Sequence, residues 1–309
     1  MSRDAIAITG ATASGKTALA IAVAQRVDGE IISFDSRQVY RGMDIGTAKP
    51  AMVERDGIAH HGFDVVSPEE RFNAGRFARL ARDWMDEIRG RGRVPVLAGG
   101  TGFFLRALTH PMFEEPRVDA ALREQWKRYL EALPTEALAR WADTLDPGNT
   151  VGHEDRQRLA RVIEVAMLTG RTLAWLRRHA PPAAAGLDPL VIVLTLDRQE
   201  LVRRIEERVD RMVDEGLVEE VRRLMDAGHD ERDPGMNATG YMEMVPHVRG
   251  ERSLVDAVTD IKAATRRYAR RQRTWFRNQL PPDARWLDAT RPRDALADEI
   301  ARIWTEENE

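Results

Sequence analysis

The stretch that most constrains this chain runs from Gly10 to Thr17 and reads Gly-Ala-Thr-Ala-Ser-Gly-Lys-Thr. It matches the G-x-x-x-x-G-K-[ST] phosphate-binding loop, and its flanks suit that reading. Ala5 to Thr9 is a short apolar run of the kind that forms a buried parallel strand, and Ala18 to Arg26 reads as a helix. In such a unit the glycines let backbone N–H groups turn inward around phosphate oxygens, and the helix N-terminus adds partial positive charge. Gly10, Ala11, Thr12, Ala13, Ser14, Gly15, Lys16 and Thr17 are therefore the candidate diphosphate or nucleotide contacts. Lys16 offers a point charge, and Thr17 a hydroxyl ligand for Mg2+. The loop alone does not say which phosphate it holds or whether phosphoryl transfer follows, and a glycine-rich turn that binds nothing is the plainer alternative.

The remaining strands extend the pattern. Glu30 to Phe34 forms a second strand candidate ending at Asp35, Val94 to Ala98 a third that runs into Gly99-Gly100-Thr101-Gly102, and Leu190 to Leu194 another far downstream. A helix over about Asn73 to Arg89 carries Phe77, Leu80, Ala81, Trp84 and Ile88 at helical spacing. Strands separated by helices predict an α/β fold, a parallel sheet with right-handed crossovers. Between 112 and 186 the pattern becomes helical, with Pro/Gly/Ala-rich edges, and reads as a helical insertion. It interrupts a core made of 1–111 and 187–309. Further helices are expected over Gln199–Ala227, closed by Gly228, and from Ser253 to about Arg277.

At 309 residues, 43% hydrophobic and 31% charged, the chain is an ordinary globular protein with ample core. No apolar run approaches the ~18–20 residues of a membrane span, and the N-terminus leads straight into a strand, which leaves no room for a signal peptide. Cysteine is absent, so disulfides, zinc–thiolate sites and thiol catalysis are excluded. A cytoplasmic enzyme is the expectation, and with no obvious pairing surface, a monomer. The net charge of −3 conceals a local excess: Ile261 to Leu280 holds Lys262, Arg266, Arg267, Arg270, Arg271, Arg273 and Arg277 and no acidic residue. Arg266, Arg270, Arg273 and Arg277 repeat along one helical face, while Ile261, Ala264, Tyr268 and Trp275 follow a second, core-facing one. An arginine row repels itself unless something anionic lies along it, so nucleic acid or a diphosphate is expected there, Arg270 included; a solvated face is the alternative.

Ligands of an open α/β sheet gather at the carboxyl ends of its strands. Three of these end in the phosphate loop, Asp35-Ser36 and Gly99-Gly100-Thr101-Gly102, which points to one site. Asp35 is either an acid/base group meeting the acceptor or a turn cap, and Thr101 either a placed hydroxyl or a plain turn residue. A phosphate-loop ATPase usually carries an acidic residue at the end of a neighbouring strand, and the strand ending at Ala98 has none. The polar, glycine-punctuated stretch from Asp35 to Pro50 is long enough to be functional. In it Arg37 and Gln38 either reach a base or phosphate or are solvated. His60-His61 are adjacent and so do not share one face, which favours a structural role over metal binding. In the helix after Glu154, Leu159, Val162, Ile163, Ala166 and Met167 form the apolar face, and Arg158 and Arg161 share a side.

Together these segments resemble the bacterial tRNA dimethylallyltransferases, also called tRNA isopentenyltransferases. The matching stretches are GATASGKT (10–17), ISFDSRQVYRGMDIGTAKP (32–50), AGGTGFFLRAL (98–108), EDRQRLARVIEVAMLTG (154–170), RIEERVDRMVDEGLVEEVRRL (204–224), TGYMEM (239–244) and TRRYARRQRTWFR (265–277). They lie in family order and span nearly the whole chain. The resemblance implies a phosphate-loop NTPase-like core and transfer of a dimethylallyl group from dimethylallyl diphosphate to N6 of the adenosine 3′ of the anticodon, in tRNAs reading codons that begin with U. It implies Asp35 as general base, Thr101 beside the target adenosine, Mg2+ on Thr17, and Arg208 as a second diphosphate ligand. It also implies tRNA contacts from Asp35, Ser36, Arg37 and Gln38, from Arg123, and from Gln157, Arg158, Leu159, Ala160 and Arg161. Two departures stand out: Ala11 replaces a common proline, and Phe103-Phe104 replaces Leu-Tyr, removing a hydroxyl expected near the substrate channel. Three other readings compete. A small-molecule kinase explains the loop and Asp35 but not the arginine row. An isopentenyltransferase of free adenine nucleotides needs no long basic surface, and a non-catalytic RNA-binding module leaves Asp35 unexplained.

Overall fold

The computed structural model describes residues 3–110, 113 and 118–309. These divide into two compact units, one formed by 1–109 with 187–309 and the other by 110–186. In chain order the first unit opens with β1 (Ile6–Gly10), α1 (Lys16–Arg26), β2 (Gly29–Ser33), β3 (His60–His61), α2 (Ala74–Gly90), β4 (Val94–Ala98) and α3 (Gly102–Thr109). The second unit contributes α4 (Ala120–Ala132), α5 (Thr135–Leu145), α6 (Arg156–Thr169) and α7 (Leu173–His179). The first then resumes with β5 (Leu190–Thr195), α8 (Arg198–Asp214), α9 (Leu217–Asp226), α10 (Tyr241–Val248), α11 (Leu254–Gln279), β6 (Arg285–Asp288) and α12 (Arg293–Asn308).

The strands pair in parallel in the order β3-β2-β4-β1-β5-β6. All of β1 and β2 is buried, as parallel strands covered by helices on both faces must be. Alternate side chains serve two separate cores. Ala7, Ile32, Leu97 and Val191 face α2 and α3, while Ile6, Ile8, Val96 and Ile192 face α1 and α12. Register then sets the site. Ile8 lies level with Ala98, and Ala98 with Ser33, so β1, β4 and β2 release the phosphate loop, the Gly99 turn and Asp35 at one edge of the sheet. A third cluster, built from Val209, Val221, Tyr241 and Ile261, takes in Val39, Tyr40 and Met43 from the long stretch after Asp35. That stretch is irregular but anchored by its own apolar residues.

Several expectations need correction. The helix expected over 199–227 is two, because Gly216 adopts a left-handed backbone (φ 101°) and turns the chain between α8 and α9. Strands β3 and β6 carry no apolar period of their own. β6 is largely exposed and owes its form to pairing with β5. Tyr268 and Trp275 turn inward toward Thr101 and Gly102 but are less completely buried than Ile261 and Ala264.

The second unit has its own small core of Leu130, Leu138, Ala142, Leu159, Val162 and Ile163, flanked by Trp126 and Trp141. Asp155 caps α6 by accepting from the Arg158 amide, and Gly170 ends it in the left-handed conformation. Met167, expected on the apolar face, is exposed, and Val165 is buried instead.

Candidate active site

The phosphate loop curls at the N-terminus of α1 through two left-handed positions, Ala13 (φ 64°) and Gly15 (φ 89°). The first is uncommon for a residue with a Cβ and stores strain. In this structure the Lys16 ammonium donates to the Ala11 carbonyl at 2.8 Å. Burial, with the Arg208 cation nearby, pulls Lys16 down to about 7, and Asp35 opposes that shift. Burial likewise lowers Arg208, again against the pull of Asp35. Two desolvated cations and one carboxylate therefore share a single site, as charges held ready for an anionic ligand do. The Ser14 hydroxyl, within the loop, is buried without a partner among the described residues.

Asp35 stands just past the end of β2. Its Oδ1 accepts from the Arg37 amide at 2.8 Å, so it does cap a turn; among the described residues Oδ2 has no such partner. The Thr101 hydroxyl accepts from the Ser36 amide at 2.9 Å and donates to the Ser36 hydroxyl at 3.2 Å. Tyr268 of α11 shares a hydrogen bond with Thr101, and its phenol is pushed up to about 12 by burial and by the negative charge of Asp35. Asp35, Ser36, Thr101 and Tyr268 thus form one polar cluster. Arg37 turns aside to donate to the Pro234 carbonyl at 2.9 Å. Gln38 is spent on the chain itself: it accepts from the Ser33 hydroxyl and donates to the Thr47 and Ala48 carbonyls.

The Gly99–Gly102 turn needs its glycines for closeness rather than for backbone freedom, since none of them has a positive φ. A Cβ on Gly100 would overlap Gln272, and one on Gly102 would overlap Trp275. Gln272 is itself buried. It accepts from the Thr12 amide and donates to the Gly100 carbonyl, both at 2.8 Å, and so clamps the phosphate loop to the turn bearing Thr101. Phe104 stacks on Phe77 (centroids 4.5 Å apart) inside the core. The missing hydroxyl thus belongs to a packing position here, and Phe103 is the exposed member of the pair.

Beside the loop lies a cavity of about 1140 Å3, lined by Lys16, Thr17, Ile45, Ala48, Arg208 and Met212 among others. Its volume exceeds that of ordinary small-ligand sites. The fit of a divalent cation can be tested on the donors present. Thr17 faces the cavity with its hydroxyl free of intramolecular bonds among the described residues, where no cluster of three acidic or histidine side chains could cage a metal. That suits Mg2+ held by one hydroxyl and phosphate oxygens. His60-His61 form β3, where His61 bonds the buried Glu30 at 2.8 Å.

The arginine row is not uniformly unpaired. Lys262 pairs with Asp210 (2.6 Å) and Arg266 with Glu206 (2.9 Å), both from α8. Arg267, Arg270, Arg273 and Arg277 have no acidic partner among the described residues, and they border a groove of about 660 Å3 with Arg198. In the second unit Glu164 pairs with both Arg123 (3.2 Å) and Arg161 (3.0 Å). Gln157 and Arg158 are exposed, Ala160 is half-buried, and Leu159 is fully buried in that unit's core. The expectation that Leu159 touches tRNA is corrected for its side chain, which packs inward. The sequence places Tyr268 on the core-facing side of its helix without revealing its contact with Thr101, and nothing local marks Gln272 as the clamp between the loop and the Gly99 turn.

A family profile described as IPP transferase matches residues 38–279, and one described as isopentenyl transferase matches 3–60. The chain is 42% identical to the tRNA dimethylallyltransferase of Geobacter metallireducens, over 88% of this chain and 89% of that one. It is also 42% identical to that of Limosilactobacillus reuteri, over 94% of each. Among solved structures, the tRNA isopentenylpyrophosphate transferase of Bacillus halodurans matches with a TM-score of 0.72 at 36% identity, covering 98% of this chain and 95% of that one. A eukaryotic dimethylallyltransferase described as acting on tRNA matches with a TM-score of 0.80 at 28% identity, covering 93% and 74%.

Proposed function

The chain belongs to the IPP transferase family, and from that premise we propose how its residues divide the work of a tRNA prenyltransferase. The donor is dimethylallyl diphosphate and the acceptor is N6 of the adenosine 3′ of the anticodon, in tRNAs reading codons that begin with U. The diphosphate lies on the phosphate loop, against Lys16 and Arg208. The observation that carries this reading is that those two cations line the cavity beside the phosphate loop within electrostatic reach of Asp35.

The N6 lone pair is delocalised into the purine ring and makes a poor nucleophile. Asp35, with Oδ2 uncommitted, accepts the N6 proton as the new C–N bond forms, a role worth about 10²–10⁴-fold. The allylic C–O bond breaks and the electron pair leaves with the diphosphate. Lys16, Arg208 and the loop amides meet that developing charge. The Thr17 hydroxyl would hold Mg2+, which would supply Lewis-acid neutralisation of the leaving group. Thr101, oriented by Ser36 and Tyr268, positions the adenine beside Asp35. Bringing the base there means extruding it from its stack, at a cost of a few kcal/mol that contacts to the flipped base offset. Arg270, with Arg267, Arg273 and Arg277 of α11, meets tRNA phosphates, as do Arg123, Gln157, Arg158 and Arg161 of the second unit. No helix among the described residues is long and apolar enough to cross a membrane, and we place the enzyme in the cytoplasm.

A direct test supplies Mg2+ and dimethylallyl diphosphate with either tRNA or free AMP. Prenylated tRNA is expected; modification of AMP but not tRNA would overturn the assignment. With tRNA, Asp35→Asn should retain binding and cut the single-turnover rate by at least about 10². An unchanged rate removes Asp35 from the mechanism.

A further inference from the structure

Glu220, on α9, is a carboxylate that the transfer chemistry does not use, yet it is only 1% exposed. Its Oε2 accepts from the Asp44 amide (2.9 Å) and the Ile45 amide (2.8 Å). Its Oε1 accepts from the Gly46 amide (3.0 Å) and the Tyr241 hydroxyl (2.5 Å). Among the described residues no cation pairs with it. A buried carboxylate is costly unless its lone pairs are filled; here three consecutive backbone amides and one phenol fill them. Beside it, Gly46 lies so close to the Tyr241 ring that a Cβ would overlap it.

The stretch that Glu220 grips is a wall of the ligand cavity. Asp44, Ile45, Ala48, Lys49 and Pro50 line the same space as Lys16 and Thr17. Its far end is tied independently, since Lys49 donates to the Tyr40 carbonyl, to Asp44 and to Asp64. Residues 44–49 therefore form a strap fixed at two points. Both points are ions, the Glu220 carboxylate and the Lys49 ammonium, whose hydrogen bonds are charge-assisted, about twice as strong as neutral ones.

We propose that Glu220 is a positioning residue for the allylic diphosphate. Through the amides of residues 44–46 it holds the Ile45–Ala48 wall at the spacing that the donor requires beside the phosphate loop, and Tyr241 completes its shell. The proposal rests on the reading that this cavity receives dimethylallyl diphosphate. A buried carboxylate of merely structural value would affect folding but would not separate donor binding from turnover.

The test compares Glu220→Gln, Tyr241→Phe and Lys16→Ala in the full chain. It measures amide hydrogen exchange at residues 44–46, together with KM for dimethylallyl diphosphate and kcat at saturating tRNA. Glu220→Gln turns an N–H2 group toward backbone donors. It is expected to speed exchange at 44–46 and raise KM about tenfold, while kcat changes less than about threefold. Tyr241→Phe removes one of four donors and should move both quantities the same way by a smaller factor. If Glu220→Gln does not fold, Tyr241→Phe decides by the same criteria. Faster exchange with an unchanged KM would overturn the proposal, as would no change in either. Lys16→Ala separates the two readings. If it leaves the affinity for dimethylallyl diphosphate intact, the cavity assignment fails and the positioning role with it. If it weakens that affinity while Glu220→Gln does not, the positioning role alone is rejected.

Discussion

Lys16 is a cation held in surroundings that disfavour its charge. Burial and the Arg208 charge lower it from 10.5 to about 7, and a diphosphate bound there as proposed would restore the charged form. Binding dimethylallyl diphosphate at about pH 8 should therefore take up a proton, visible in calorimetry as a dependence on buffer ionisation enthalpy. The unliganded protein should show the matching sign. Its folded pKa lies below the unfolded one, so between them the unfolded chain binds more protons and stability rises with pH. Lys16→Met should abolish both effects; a proton uptake that persists in that variant would assign it to another group. At this scale the sequence was legible wherever chemistry is encoded locally. Lys16, Thr17, Asp35 and Thr101 announce themselves through motif and strand-end position. Gln272 and Tyr268 do not, because their roles come from contacts across 172 residues to Gly100 and to Thr101.

Among the elements, α11 carries two jobs on different faces. One side brings Tyr268 and Gln272 to the Gly99–Gly102 turn, and the other exposes arginines along the groove with α8. Pairing by Glu206 and Asp210 at the first part of the row leaves Arg270, Arg273 and Arg277 as the part open to phosphate. Arg270→Ala should weaken tRNA binding and reduce the slope of log affinity against log salt by about one phosphate contact, ~0.7–0.9. Arg266→Ala should change the slope less. Equal slopes for wild type and Arg270→Ala would return the row to solvent. Helical period and charge make α11 readable from sequence, and apolar runs do the same for β1, β2, β4 and β5. The break at Gly216 was less legible, because the apolar period continues through it and only the left-handed backbone ends the helix.

The whole molecule is a parallel-sheet core with a helical unit inserted between Thr109 and Leu187. The Leu187 amide donates to the Leu108 carbonyl at 3.0 Å, so the core closes on itself where the insertion leaves and returns. Replacing residues 110–186 with a short Gly/Ser linker should leave a folded core that binds dimethylallyl diphosphate with near-native affinity, while tRNA affinity falls at least about tenfold. Unaltered tRNA binding would remove the second unit from recognition. The central claim is that the phosphate loop of this fold cradles a leaving group, and that a carbon chain is what moves. It is tested most directly with dimethylallyl diphosphate labelled separately in the allyl carbons and in the β-phosphate. The account predicts that carbon label enters tRNA at N6 of the adenosine 3′ of the anticodon while all phosphate label is released as diphosphate. Phosphate label on the tRNA, or carbon label that stays in solution, would contradict it.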